Sequence, residues 1–255
     1  MVPIIRSYSP TVAISWFKQG IALYKKQFIR LSLVFIVASM LMSMATVLPI
    51  IGLLLALVSV PLSQMLLFNA AYGTRLRGHF LMSDLRQKLH TSKIWSRLLF
   101  AAFINVAIVY MILSITMPSL PLSPEAFLNL SSEEMQKIVA QTYTLSSLAT
   151  PFFCICVYLL LSFWVYPLIC WEDSPVVRAF IQSFKASMSN ALALSLLIGF
   201  FVGLSIIAIF ATQTIFAALL PGAFMTAALF VINTIIVALY ICLFVAYMEI
   251  FYGKE

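Results

Sequence analysis

Long uncharged runs dominate the pattern of apolar and polar positions. Between Arg30 and Arg75 lie 44 residues without a charge, between Arg97 and Glu125 27, between Lys137 and Glu172 34, and between Lys185 and Glu249 63. A helix of about 20 apolar residues crosses roughly 30 Å of hydrocarbon. The first and last runs hold two crossings each and the middle runs one each, so the pattern predicts six. Pro49 and Gly52 punctuate the first run and Pro221-Gly222 the last, which places the turns. The predicted spans are 29–48, 50–72, 96–116, 148–170, 191–213 and 224–247. They form a single integral membrane domain over 1–255, an all-α polytopic membrane helix bundle with a non-cytoplasmic loop at 117–147.

Shorter stretches with helical stripes precede the first, third and fifth spans. Trp16, Phe17, Gly20, Ile21, Tyr24 and Phe28 make the first stripe, with Lys18, Lys25 and Lys26 off it. Met82, Leu85 and Leu89 make the second, opposed by Arg86, Lys88 and His90. Val177, Phe180, Ile181, Phe184 and Met188 make the third, flanked by Arg178 and Lys185 and opened by Asp173-Ser174-Pro175, a cap and a proline at the first helical position. These read as amphipathic interfacial helices, apolar face in the acyl boundary and bases toward the headgroups. The competing reading is that they extend the spans and pack on protein. Three units of interfacial helix plus two-span hairpin result. The first and third align, Phe17, Gly20 and Gln27 against Phe180, Ser183 and Asn190, as in a parallel repeat.

Composition bears on the solvent. Apolar residues make up 63% of the 255 and charged ones 9%, with a mean hydropathy of +1.08. A water-soluble fold of this size lacks the interior to hide so much apolar surface, which excludes a soluble enzyme and a nucleic-acid-binding domain. The net charge of +7 is then a matter of topology and anionic lipid. With six spans, all of the fifteen lysines and arginines except Lys137 fall on the side of both termini, so both termini are expected in the cytoplasm. The first apolar run begins near residue 29 behind a basic stretch, which predicts a span rather than a cleaved leader.

In the 117–147 loop, Pro118, Pro121 and Pro124 precede a capping box, Ser131 to Glu134, bracketed by Leu130 and Met135. A helix from there to about Tyr143 puts Met135, Ile138 and Val139 on one side. Its acids Glu125, Glu133 and Glu134 read as a solvated face.

Chemistry is sparse. No acid or base falls in the central part of any span, and Glu249 sits only at the end of the last, which argues against ion-coupled transport. Within the spans stand neutral polar residues such as Gln64, Asn69, Asn105, Gln213 and Asn233, of the kind that bond neighbouring helices. His79, His90 and Asp84 lie in the 73–97 loop without the spacing of a base and its orienting carboxylate. Cys154, Cys156, Cys170 and Cys242 have no metal-site spacing and read as packing residues. No catalytic, metal or cofactor residue is assigned. Ala191, Ser195, Gly199 and Gly203 step by four along the fifth span, a small-residue ladder that admits a close helix neighbour, expected within the same chain.

Trp164, Pro167, Trp171, Glu172, Asp173 and Pro175, followed by Ala179, Ser183 and Asn190, carry a resemblance, together with Gly20, Tyr24, Lys25, Lys26 and Gln27 near the start and Tyr247, Phe251 and Gly253 near the end. The chain resembles an uncharacterised family of proteobacterial inner-membrane proteins. It is more distantly similar to YciC-type membrane proteins and to the membrane domain attached to some glycerophosphodiester phosphodiesterases. It departs from that family at Ser189, where a basic residue is usual, and in its longer 118–147 loop. The resemblance implies a six-span fold in the bacterial inner membrane and no activity. Two functions stay open: a non-enzymatic protein that scaffolds or binds a membrane partner or lipid in the cell envelope, and a carrier or channel for a lipid or small apolar solute. The expected lipid contacts are Lys18, Lys25, Lys26, Arg86, Lys88, Lys93, Arg178 and Lys185, with anionic headgroups as ligands.

Overall fold

Among the described residues, helices run through each of the six predicted ranges. The computed structural model describes residues 4–45, 49–89, 91–118, 132–219 and 224–253. Within these the chain is all-helical, with no strand. Its helices are α1 (Val12–Lys26), α2 (Phe28–Ala45), α3 (Pro49–Arg77), α4 (Met82–Leu85), α5 (Ser92–Thr116), α6 (Ser132–Thr142), α7 (Leu145–Ser162), α8 (Val165–Trp171), α9 (Val176–Ser189), α10 (Ala191–Leu219) and α11 (Phe224–Tyr252). Among the described residues, four stretches are long and apolar enough to cross a membrane: α5, Ser146–Trp171 across α7 and α8, α10 and α11. Several helices outrun the predicted spans, α3 to Arg77 and α11 to Tyr252. A gap between charges measures the apolar width, whereas backbone hydrogen bonding carries the helix on into the polar boundary.

Three helical hairpins, α2–α3, α5–α7 and α10–α11, pack side by side. The core lies toward one end, where Trp16, Trp164, Tyr247, Phe68 and Phe244 are fully buried. Only 17% of the apolar window of α5 is buried and 22% of that of α10, against 44% of that of α11. So α11 is central, and α5 and α10 turn large apolar side chains such as Phe103, Tyr110, Ile207 and Phe210 outward. Water does not tolerate such a surface; lipid requires it.

The predicted 148–170 span is not one helix. It breaks at Phe163 and Trp164. Pro167 has no N–H for the Phe163 carbonyl four residues back, and its ring crowds that carbonyl. Neighbouring helices supply the missing partners. Gln64 Nε2 of α3 donates to the Phe163 carbonyl at 2.8 Å. Ser183 Oγ of α9 donates to the Leu161 carbonyl at 2.6 Å and accepts from the Trp164 N–H at 3.1 Å. Ser187 Oγ donates to the Leu160 carbonyl at 2.8 Å. The break thereby leaves these carbonyls satisfied where water is scarce, and it sets α8 with Trp171 beneath the end of α3.

Two of the stretches expected to be interfacial are full helices, α1 and α9, closed by Gln27 and Asn190, the two residues that the repeat aligns. They differ in what they bury. α9 turns Ala179, Gln182, Ser183, Ala186 and Ser187 into the protein and leaves Val177, Ile181, Phe184 and Met188 outside. α1 does the opposite: Trp16, Gly20 and Tyr24 of its stripe are buried against α11. A Cβ on Gly20 would stand 2.6 Å from the Cα of Cys242, so α1 and α11 cross at contact distance. For α1 the protein-packing reading therefore replaces the acyl-boundary one. The expected second interfacial helix is a single turn, α4. The Asp84 carboxylate accepts the Leu81 N–H at 2.7 Å and binds Arg77, and Lys88 enters the left-handed region at φ 65°, which ends the helical path. Met82 is exposed, Leu85 half-buried and Leu89 buried, so the stripe does not hold.

The predicted loop helix is α6; its cap Ser131 and staple residue Leu130, like the turn at Pro221-Gly222, lie outside the described residues.

Candidate functional site

The basic ends of the helices are tied to one another. The extended segment ahead of α1 straps two of them: the Arg6 N–H donates to the Ile250 carbonyl of α11 at 3.0 Å, and Asn190 Nδ2, between α9 and α10, donates to the Arg6 carbonyl at 2.9 Å while its Oδ1 accepts the Tyr8 N–H at 3.0 Å. Arg97 of α5 reaches Asp173, beyond α8, at 2.6 Å, and Lys93 stands 3.9 Å from the same carboxylate. Lys88 Nζ donates to the Trp171 carbonyl at 3.4 Å. These contacts join the ends of α5, α8, α9 and α11.

Glu249 is buried in this end, at 4% exposure. Its carboxylate accepts from Trp16 Nε1 at 3.0 Å and Gln19 Nε2 at 3.2 Å, and its carbonyl accepts the Tyr8 hydroxyl at 3.0 Å. Burial and the Glu249 charge push the Tyr8 phenol above its usual value. The sequence placed Glu249 at the membrane boundary; the structure makes it the anchor that joins the strap, α1 and α11.

Asn69 is the second anchor. It is 1% exposed. Its Nδ2 donates to the carbonyls of Leu85 at 3.2 Å and Gln87 at 2.8 Å, and its Oδ1 accepts Trp171 Nε1 at 3.0 Å. One amide thereby pins the 85–88 turn over α8. Gly73 makes room for that turn, since a Cβ there would meet Asp84 Oδ2 at 2.5 Å. Between α3, the turn and the end of α11 lies a cleft of about 200 Å³ lined by Tyr72, Arg75, Lys88, Trp171, Met248 and Tyr252, among others. A wider hollow of about 440 Å³ adjoins it through Tyr72, Leu76, Gln87 and Lys88 and adds Arg77, Asp84 and Arg86.

All eight bases expected to meet lipid are exposed: Lys18, Lys25 and Lys26 on α1, Arg86, Lys88 and Lys93 around the turn, and Arg178 and Lys185 on α9. They are not one cluster. Arg86 and Lys88 line the same hollow, Lys93 faces Asp173, and Arg178 and Lys185 flank the outward apolar stripe of α9. The expected lipid contacts did not include Arg75, Arg77, Arg97 or Tyr252. Arg75 and Arg77 were visible as bases at the end of a span, but only the fold of the turn brings them to Lys88.

The small-residue ladder does not receive an internal helix. Ser195 and Gly199 are exposed, and among the described residues nothing lies within 4 Å of where a Cβ on Gly199 or Gly203 would sit. The buried face of α10 carries Ala193, Leu194, Leu197 and Phe201 instead. Cys170 and Cys242 are buried, whereas Cys156 is exposed and Cys154 half-buried. Asp84 is engaged by Arg77 and the Leu81 amide, and His90 lies outside the described residues. Among the described residues no three His, Cys, Asp or Glu side chains group as metal ligands.

No family model matches this chain, and no curated protein or solved structure matches it significantly.

Proposed function

We propose that this is a non-enzymatic six-span protein of the bacterial inner membrane, with both termini cytoplasmic, whose basic end binds anionic phospholipid and serves as a scaffold in the envelope. Four of the six spans have the length and hydropathy for crossing; α2 and α3 complete the six in this reading, and the distribution of bases sets the orientation. The resemblance to the uncharacterised inner-membrane family supports the location.

The observation that carries the function is α9. Its small and polar face is sealed against the α7–α8 break, while Val177, Ile181, Phe184 and Met188 stand outside between the exposed bases Arg178 and Lys185. That is the arrangement of a helix lying in the headgroup boundary, where each base near an anionic surface contributes about 1 kcal/mol. The polar residues inside the spans support scaffolding over a carrier. Gln64 and Asn69 are spent on backbone carbonyls, and Asn105 joins the hydroxyls of Tyr158 and Tyr166.

Native mass spectrometry of the protein released from bacterial membrane tests this. Variants with Arg178 and Lys185, or Lys18, Lys25 and Lys26, replaced by glutamine should retain less phosphatidylglycerol and cardiolipin than the unmodified chain. Equal retention in both variants rejects the lipid-binding role and leaves the bases with a topological one.

A further inference from the structure

We infer that the cleft between the end of α3, the 85–88 turn and the end of α11 is a discrete site for a phosphate ester, with Arg75 and Lys88 as its cationic walls and Trp171 and Tyr252 as its aromatic ones. The inference deepens the reading of this end as an anion-binding face and rests on it.

The turn is set before any ligand arrives. Asn69, buried in α3, holds the carbonyls of Leu85 and Gln87 and the indole of Trp171 at once. Such preorganisation spares a ligand the cost of ordering the loop. Lys88 sits at φ 65°, a conformation glycine adopts freely and lysine only under strain. A strained residue at a cleft points to a role for its side chain. Here that side chain is an ammonium at the mouth of the cleft, close to the Trp171 carbonyl.

Charge decides the class of ligand. The carbonyl ends of α3, α8 and α11 converge here, each equivalent to about half a negative charge. Lys88 meets that of α8. Of the nearby carboxylates, Asp84 is bonded to Arg77, and Glu172 accepts the Tyr252 hydroxyl. Against these two stand Arg75, Arg77, Arg86 and Lys88; with the three helix ends counted the balance is close to neutral, so it is the local charges of Arg75 and Lys88 at the cleft, not a net excess, that select an anion. An arginine fork matches phosphate oxygens in pairs, and a lysine adds a point charge. The cleft and the hollow beside it together fall within the roughly 300–1,000 Å³ usual for small-ligand sites. The ester belongs either to a lipid headgroup entering from the boundary or to a soluble metabolite entering from the polar side; the chemistry of recognition is the same.

Calorimetric titration of the full-length protein in neutral detergent separates the cases. The probes are glycerol phosphate and dihexanoyl phosphatidylglycerol, each at fixed ionic strength. Saturable binding of at least one is expected. Preference for the short-chain lipid assigns a headgroup, and preference for glycerol phosphate assigns a soluble ester. Arg75→Gln and Lys88→Gly should each weaken the bound probe at least tenfold, and Arg30→Gln, an exposed base outside the cleft, by less than twofold. Lys88→Gly keeps the test sound against misfolding, because glycine relieves the backbone strain and its Tm should not fall. Absence of binding to both probes overturns the site, as does unchanged affinity in Lys88→Gly. Equal weakening in Arg30→Gln overturns it in favour of a diffuse basic surface. Equal lipid retention by the glutamine variants in native mass spectrometry, with glycerol phosphate binding intact, would reject the platform and keep the site.

Discussion

Trp16 and Trp164 are both fully buried, but only one indole N–H is used. Trp16 Nε1 bonds the Glu249 carboxylate, whereas Trp164 Nε1 has no hydrogen-bond partner among the described residues. Replacement by phenylalanine removes similar ring volume from each site. At Trp16 it also strips a buried carboxylate of a donor, which costs about 1–3 kcal/mol, whereas at Trp164 no bond is lost. Trp16→Phe should therefore lower the unfolding free energy in detergent by about that much more than Trp164→Phe. Equal losses would mean that Glu249 is held by other groups. Glycines separate the same way. Gly20→Ala drives a methyl into the backbone of α11 beside Cys242 and should cost about 1–3 kcal/mol. Gly199→Ala enters open space and should be neutral, or gain up to about 1 kcal/mol from helix propensity. The sequence alone ranks Gly199, part of the ladder, above Gly20; the structure reverses the order, because a small residue matters only where another backbone arrives.

Among the elements, the α7–α8 break makes a coupled prediction. Gln64 serves the carbonyl that Pro167 leaves bare. Gln64→Leu should destabilise the protein by about 1–3 kcal/mol, the cost of an orphaned buried acceptor. In a Pro167→Ala background the new alanine N–H offers that carbonyl a partner, so the same substitution should cost less than half as much. A double-mutant cycle of unfolding free energies reads the coupling, and strict additivity would reject it. Faces of α9 give a second test. A cysteine-specific label should modify Phe184→Cys, on the outward stripe, much faster than Ser187→Cys, which faces the α7 carbonyl of Leu160. The stripes of α1 and α9 look alike in sequence, with apolar residues at helical spacing and bases beside them. Periodicity states that a face is apolar, but it does not state whether lipid or α11 covers it.

For the whole molecule, orientation is the testable quantity. A periplasm-active reporter fused after Glu255 should be silent, and one inserted near Ser131 should be active; the reverse pair of results rejects the topology. Composition alone determined that the chain belongs in lipid, because 63% apolar residues exceed what a water-soluble interior holds. The spacing of charges determined where the helices run, since a bilayer demands about 20 apolar residues per crossing whatever the neighbours are. Both are local or summed properties, and the linear chain carries them in full. Tertiary structure alone decided the rest. It turned the fourth span into two helices served by Gln64, Ser183 and Ser187, buried Glu249 under the strap, and gathered Arg75, Arg86 and Lys88 around the cleft and the hollow beside it. These depend on pairs such as Asn69 with Trp171, 102 positions apart. A hydrogen bond over that separation is set by how helices cross, which no local pattern of side chains encodes.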